Sequence, residues 1–330
     1  MIALLKDVRM PFSVLLLAYA MLLNVNLLLY PPEIRFTATA PLSQLVLTLL
    51  ETISGNNPSF LAILFTGLVW VQALFINAIC NNHRLFETVS GLPALFYILL
   101  IGLFNQHLYL SPPFFATFAI IYTLAIIYKS YYSDSFTHYF DAGFYIAIAS
   151  LFYLPALLLL IFVFIGITIT RVIRWRQWVV VLLGIFTPYL LIGTWYFWQD
   201  ELATFVTGHF LHISTSVVAA QFDAGQWIVQ IGIFAGLTLV SFFITQQRLL
   251  FSVVKIKKMT TILGYLLLIS ALTFAFVERY TLAPMAFVAV PMSVYMAYWF
   301  QGLRKFIFAE FLHILLLSIV FYFQYAKYIL

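Results

Sequence analysis

A single cysteine in 330 residues, Cys80, excludes a disulfide within the chain and any cysteine-based metal cluster. Charge is equally sparse: Asp, Glu, Lys and Arg make up 8% of the residues, against roughly 25% in soluble domains. No stretch is long and polar enough to fold as a soluble domain. No internal repeat stands out, which removes the usual sequence sign of a transporter built from inverted halves. What fills the chain is apolar: 64% of it is hydrophobic, with 35 Phe and 20 Tyr. Runs long enough to cross a ~30 Å hydrocarbon core at 1.5 Å per residue recur from end to end. The expected fold is all-α, a polytopic transmembrane helix bundle forming one integral membrane domain over residues 1–330.

The opening MIALLKDVRM is basic and leads into an apolar run from Pro11 to Leu29. It has the start of a signal peptide without a small-residue cleavage site, so a retained first helix is expected. Eleven spans follow from the hydropathy pattern: 11–30, 59–79, 91–105, 113–128, 139–153, 156–170, 178–197, 226–246, 260–277, 281–300 and 306–323.

Threading these spans with the N-terminus in the cytoplasm separates the charges. Lys6, Arg9, Arg84, Lys129, Arg171, Arg174, Arg176, Arg248, Lys255, Lys257, Lys258, Arg304 and Lys305 fall inside, leaving only Arg35, Arg279 and Lys327 outside. The acids Glu33, Glu51, Asp200, Glu201, Asp223 and Glu278 fall outside, while Asp7, Glu87, Asp134 and Asp141 stay inside. That split obeys the positive-inside rule. It orients the chain with its N-terminus in the cytoplasm and its C-terminus on the outer face. The pI near 9.2 then reflects a basic face beside anionic lipid and gives no support for a nucleic-acid partner.

Residues 139–170 are the least regular part of the threading, because Leu154-Pro155 interrupts an apolar stretch too long for one helix and short for two. The segment reads as a short-armed helical hairpin, either crossing fully or turning back within the membrane, with a cavity expected near Pro155. Two longer connections, 31–58 and 198–225, face outward. In the first, Leu42, Leu45, Leu49 and Ile53 recur at helical spacing, which suits a helix lying in the interface. The stretch Leu202 to Phe222 is expected to lie flat in the same way.

The acids outside are the candidate catalytic groups. Glu33, directly after Pro31-Pro32, could act as a general base towards an acceptor hydroxyl, and Arg35 could bind a lipid phosphate; both also suit a solvated loop. Glu278 and Arg279 stand at the mouth of a tight turn, and Arg279, one of three external cations, suits an anionic headgroup or an interface anchor. Trp195, Trp198, Asp200 and Glu201 combine aromatic rings with carboxylates, the chemistry of sugar stacking and hydroxyl recognition, although an aromatic belt needs the same rings.

Other groups have narrower readings. His209 and His212 share a helix face without a third metal ligand, so no metal or other cofactor is expected. Glu310 and His313 repeat half of a di-iron motif whose remaining carboxylates are missing, and read as a structural pair within the bundle. Asn77, Asn81, Asn82, His83 and Arg84 suit capping of the second span. Arg171, Arg174 and Arg176 with Trp175 and Trp178 suit either anionic headgroups and a cytosolic partner or simple anchoring.

The stretch from Phe140-Asp141-Ala142-Gly143-Phe144 through Ser150-Leu151-Phe152-Tyr153-Leu154-Pro155-Ala156, followed by Arg174-Trp175-Arg176-Gln177-Trp178 and Thr187-Pro188-Tyr189, resembles a family of uncharacterised polytopic inner-membrane proteins of Bacteroidetes. The outline is also similar to the multi-spanning glycosyltransferases that use lipid-phosphate sugars. That likeness implies a catalytic acid in the first outer loop, here Glu33 or Glu51, but the chain lacks the paired acidic motif and soluble C-terminal domain of better-known members.

Three function classes follow. The first is a membrane glycosyltransferase-like enzyme acting at the periplasmic face on a polyprenyl-phosphate-linked sugar. The second is a non-catalytic membrane subunit or scaffold of an envelope secretion or motility assembly, with a membrane-protein partner. The third is a lipid or solute transporter, disfavoured because only Glu310 with His313 approaches the midplane.

Overall fold

The computed structural model describes residues 12–32, 37–38, 40–55, 57–171, 174–211, 215–216, 224–276, 282–303 and 305–329. Among them are fifteen α-helices and one two-stranded sheet. All eleven apolar segments are helical. Six helices are long and apolar enough to cross a membrane, and shorter apolar helices accompany them.

The first half of the chain builds the centre. α1 (Phe12–Leu23) and the short α2 (Val25–Leu29) form the first segment; α3 (Pro41–Ser54) follows, then α4 (Pro58–Asn82), α5 (Leu92–Leu103), α6 (Asn105–Leu108) and α7 (Pro112–Ser130). Proline at the first helical turn starts α3, α4, α5 and α7, where its missing N–H is no loss. Gly55, at φ +55°, ends α3 in the left-handed conformation that glycine adopts without strain.

The hairpin is α8 (Phe136–Phe152), a 3₁₀ turn over Leu154–Leu158 and α9 (Leu159–Thr170); α10 (Trp175–Trp198) and α11 (Leu202–Val206) follow. α12 (Ala224–Leu249), α13 (Val254–Leu272), α14 (Met285–Gln301) and α15 (Phe306–Ile329) complete the bundle.

α5 and α14 pack on each other at the centre. Every residue of α5 is buried, as is nearly all of α14. A helix apolar on all sides belongs in such a place. α1, α4 and α15 cover α5, while α7, α12 and α13 cover α14. α8 lies on α7, and α10 lies outside α8.

Connections alternate between two ends of the bundle, and the polar side chains reveal which end is which. At one end, Arg171 Nε donates to the Ser130 carbonyl at 3.0 Å, Lys258 Nζ to that of Thr170 at 3.4 Å, and Arg248 to that of Tyr298 at 2.8 Å. Lys255 sits over the Tyr132 ring, and Lys258 over that of Tyr131. We call this the basic end.

At the other end, Gln324 Nε2 donates to the carbonyls of Leu23 and Gly102, at 2.8 and 2.7 Å. Asn26 returns a bond to the Gln324 carbonyl, and Asn105 bonds Asn24. Amides thus tie the ends of α1, α5 and α15 where water is excluded.

Both long connections lie at this second end. Thr37–Ala38 (β1) pairs antiparallel with Thr215–Ser216 (β2). The flat helix expected over 202–222 is interrupted: α11 is followed by a π turn over Thr207–Leu211 and later by β2, where Thr215 and Ser216 are β-branched and hydroxyl residues that suit an extended edge better than a helix. α3 does form. Ser43 and Leu47 face the protein, while Leu45, Leu49 and Ile53 point away, each more than half exposed. Ser43 Oγ donates to the Phe152 carbonyl at 2.6 Å, tying α3 to the tip of the hairpin. The hairpin therefore runs from the basic end, where Thr170 meets Ser130, to the opposite one. Pro155 at its turn is buried.

Candidate functional site

The crossing of α8 and α10 positions the groups at the second end. A Cβ on Gly143 would lie 2.1 Å from the Val181 carbonyl oxygen, and one on Gly184 would lie 2.2 Å from that of Phe140. The two backbones meet through paired glycines, the close approach typical of membrane helix contacts. That contact sets Ser150 on α8 opposite Tyr189 on α10, hydroxyls 2.7 Å apart. Tyr189 OH in turn lies 3.5 Å from Nε2 of His209 on the π turn. With Ser150 Oγ donating to the Ala147 carbonyl, Tyr189 donates to Ser150 and accepts from His209.

His209 is 2% exposed and stacks on Phe205, with centroids 5.7 Å apart and planes 8° apart. Burial pulls its imidazole down to about 4, so the ring is neutral at pH 7. Among the described residues its Nδ1 has no hydrogen-bond partner. A ring that binds protons so weakly is a hydrogen-bonding wedge between Tyr189 and Phe205 rather than a strong general base.

Immediately beside this relay, α10 ends. Glu201 N bonds the Tyr196 carbonyl, and Asp200 takes a left-handed φ of +57°, which a short polar side chain tolerates. Asp200 and Glu201 are exposed, as are Trp195 at 64% and Trp198 at 86%. They form a ledge of two rings and two carboxylates on the outside of the second end. The sequence-predicted Glu33, Arg35, Glu278, Arg279 and His212 lie outside the described residues. Among the described residues, no three His, Cys, Asp or Glu converge as a metal site would require.

The remaining predicted groups are structural in their contacts. Asn81 exchanges two hydrogen bonds with Ser90, closing the turn after α4, and His83 caps that helix. Arg171 holds the turn after α7, while Arg176 lies near the face of Trp175, 6.0 Å away. Trp178 stacks on Phe164. His313 is buried beside the Tyr19 ring, at 5.9 Å, on the inner side of α15.

Sequence reasoning passed over Ser150, Tyr189, Gln324 and Asn105 as individual residues. Their signal was present: each is a polar group within an apolar run, and Ser150 and Tyr189 stand in the stretches that carried the family resemblance. A cavity of about 620 Å³ lies between α4, α7 and α8 and touches Phe152 at one extremity.

No family model, curated protein or solved structure matches the chain. Helix length, hydropathy and the alternation of connections make it a polytopic helical membrane protein.

Proposed function

We propose that the chain is a glycosyltransferase-like membrane protein, acting at the periplasmic face of a bacterial inner membrane on a polyprenyl-phosphate-linked sugar. The observation that supports it best is the β1–β2 pair. It joins the connection that carries Glu33 and Arg35 to the one that carries Asp200, Glu201 and His209, at the end of the bundle opposite the basic one. Two connections far apart in sequence are thus joined through Thr37–Ala38 and Thr215–Ser216. The outward stripe of Leu45, Leu49 and Ile53 on α3 suits the rim of a site fed sideways from lipid.

In this reading Glu33 takes the proton of an acceptor hydroxyl, and the oxygen so freed attacks the anomeric carbon. The bond to the lipid phosphate breaks, and the phosphate departs as an anion held by Arg279 and Arg35. Asp200, Glu201 and Glu278 contact sugar hydroxyls, while Trp195 and Trp198 supply ring faces. Replacing Glu33 or Arg279 by Ala should lower transfer by the purified protein about 100-fold or more, the usual effect of losing a general base or an anion grip. Undiminished transfer in both variants removes the assignment.

A second reading, a non-catalytic subunit of an envelope assembly, draws support from the outer helices. α10 presents Leu182, Leu183, Phe186, Leu190 and Leu191 as one exposed apolar face, broad enough for a partner helix as well as for lipid. Stable co-purification with another membrane protein, lost on Phe186→Ser, would favour this reading over the enzyme.

A further inference from the structure

The cavity between α4, α7 and α8 has two chemically distinct parts. Along most of its length the wall is apolar, with Phe75 from α4, Phe118 and Tyr122 from α7, and Ile148 from α8. At the basic end it meets Asn82, His83 and Lys129. On α7 the lining runs from Phe115 to Lys129, about 21 Å at 1.5 Å per residue, enough to follow a hydrocarbon chain through one leaflet's ~15 Å. Phe75 and Tyr122 are each about half exposed, so the groove opens sideways.

The polar end is cationic. Lys129 is exposed there, and Lys255 lies 5.1 Å above the Tyr132 ring, which stacks on His83 at 5.7 Å. His83 is buried, and among the described residues its Nδ1 has no hydrogen-bond partner. Burial, with the two lysine charges, pulls its imidazole down to about 4. The head of the groove therefore offers ammonium charge and a neutral ring. Of the acids on this side, Asp134 is engaged by Tyr139 and Gln177, and Asp141, on α8 one turn before Tyr145 of the groove wall, is half-buried and acts on the Tyr145 hydroxyl.

We propose that this groove holds one acyl chain of an anionic phospholipid, whose phosphate rests at Lys129. The apolar wall supplies shape and little driving force, because lipid tails are as apolar as the residues that line it. Selectivity comes from the head, where a lysine near anionic lipid acts through charge and weakens as salt rises. The site is independent of the proposed transferase chemistry, which lies at the other end of the bundle.

Delipidated full-length protein in detergent, given phosphatidylglycerol or phosphatidylcholine and followed by native mass spectrometry, tests it. The wild type should retain phosphatidylglycerol in preference to phosphatidylcholine. Lys129→Gln should cut that preference about fivefold, the worth of one cation near anionic lipid. Ala125→Trp, which fills the groove, should remove the bound lipid, while Arg174→Gln at the same end but off the groove should leave it in place. Ala78→Leu narrows the facing wall and serves should the tryptophan variant fail to fold. Equal retention of both lipids by the wild type would reduce the groove to ordinary annular contact and overturn the proposal. Equal losses in Lys129→Gln and Arg174→Gln would overturn it in favour of diffuse attraction to the basic end, as would a co-purified protein helix, rather than lipid, displaced by Ala125→Trp.

Discussion

Three histidines outside the spanning helices, His83, His107 and His209, are buried, and each imidazole is pulled down to about 4 from an ordinary 6.5. Desolvation is the leading cause for all three, joined at His83 by repulsion from Lys255 and Lys129. In the unfolded chain each ring takes a proton as pH falls through 6.5, whereas in the folded chain it does not until about 4. Stability is thus fully present above 6.5 and declines through the window from 6.5 to 4, by up to about 1.4 kcal/mol per pH unit for each ring. Thermal unfolding of the detergent-solubilised protein should therefore fall in temperature between pH 7 and pH 5, and less steeply when the three are replaced by Gln. A native profile that stays level across that range contradicts the burial of these rings. None of this was legible in the sequence, where His83 read as part of a cap and His209 as one of two histidines too few to hold a metal. A histidine's titration depends on what surrounds it, and those neighbours come from other helices.

Among the elements, the α8–α10 crossing carries the sharpest expectation. A methyl group at Gly143 or Gly184 meets backbone carbonyls rather than flexible side-chain ends, so the helices must separate. Gly143→Ala and Gly184→Ala should each destabilise by about 1–3 kcal/mol, the usual cost of overpacking, despite the better helix propensity of Ala. Gly193→Ala, in α10 with nothing within 4 Å, should be neutral or slightly stabilising. Unfolding of the three variants in graded denaturing detergent separates the cases, and equal behaviour would mean that the crossing is looser than described. Hydropathy located both helices but not their contact, since a glycine in an apolar run looks the same whether it faces a neighbour or lipid. The interfacial α3 was readable from its Leu45, Leu49 and Ile53 stripe. The β1–β2 pair was not, because two-residue strands carry no periodicity and their partners are far apart in sequence.

At the scale of the whole molecule, the positions of Lys and Arg and the contacts between connections divide the described residues in the same way. Connections after α4, α7, α9, α12 and α14 meet at the basic end, and those carrying α3, α6, α11 and the hairpin turn meet at the other. With Cys80 replaced by Ala, Glu51→Cys and Asp200→Cys should react with an impermeant maleimide added to the periplasmic side of spheroplasts. Glu87→Cys and Ser252→Cys should react only after the membrane is opened. Glu51 and Glu87 labelled from one side would break the threading and the chemistry proposed at its outer face.

The apolar runs and the uneven distribution of cations between them belong to the order of residues alone, because insertion into a bilayer responds to apolar run length and to charge beside each run, both properties of the chain read in one dimension. Folding alone decided that α5 and α14 form the centre, that Gly143 meets the Val181 carbonyl and Gly184 that of Phe140, that Ser150, Tyr189 and His209 adjoin, and that a groove ends at Lys129. Lipid and protein interior are equally apolar, so composition cannot separate a face that meets a helix from one that meets a lipid tail; the distinction arises only when the helices pack.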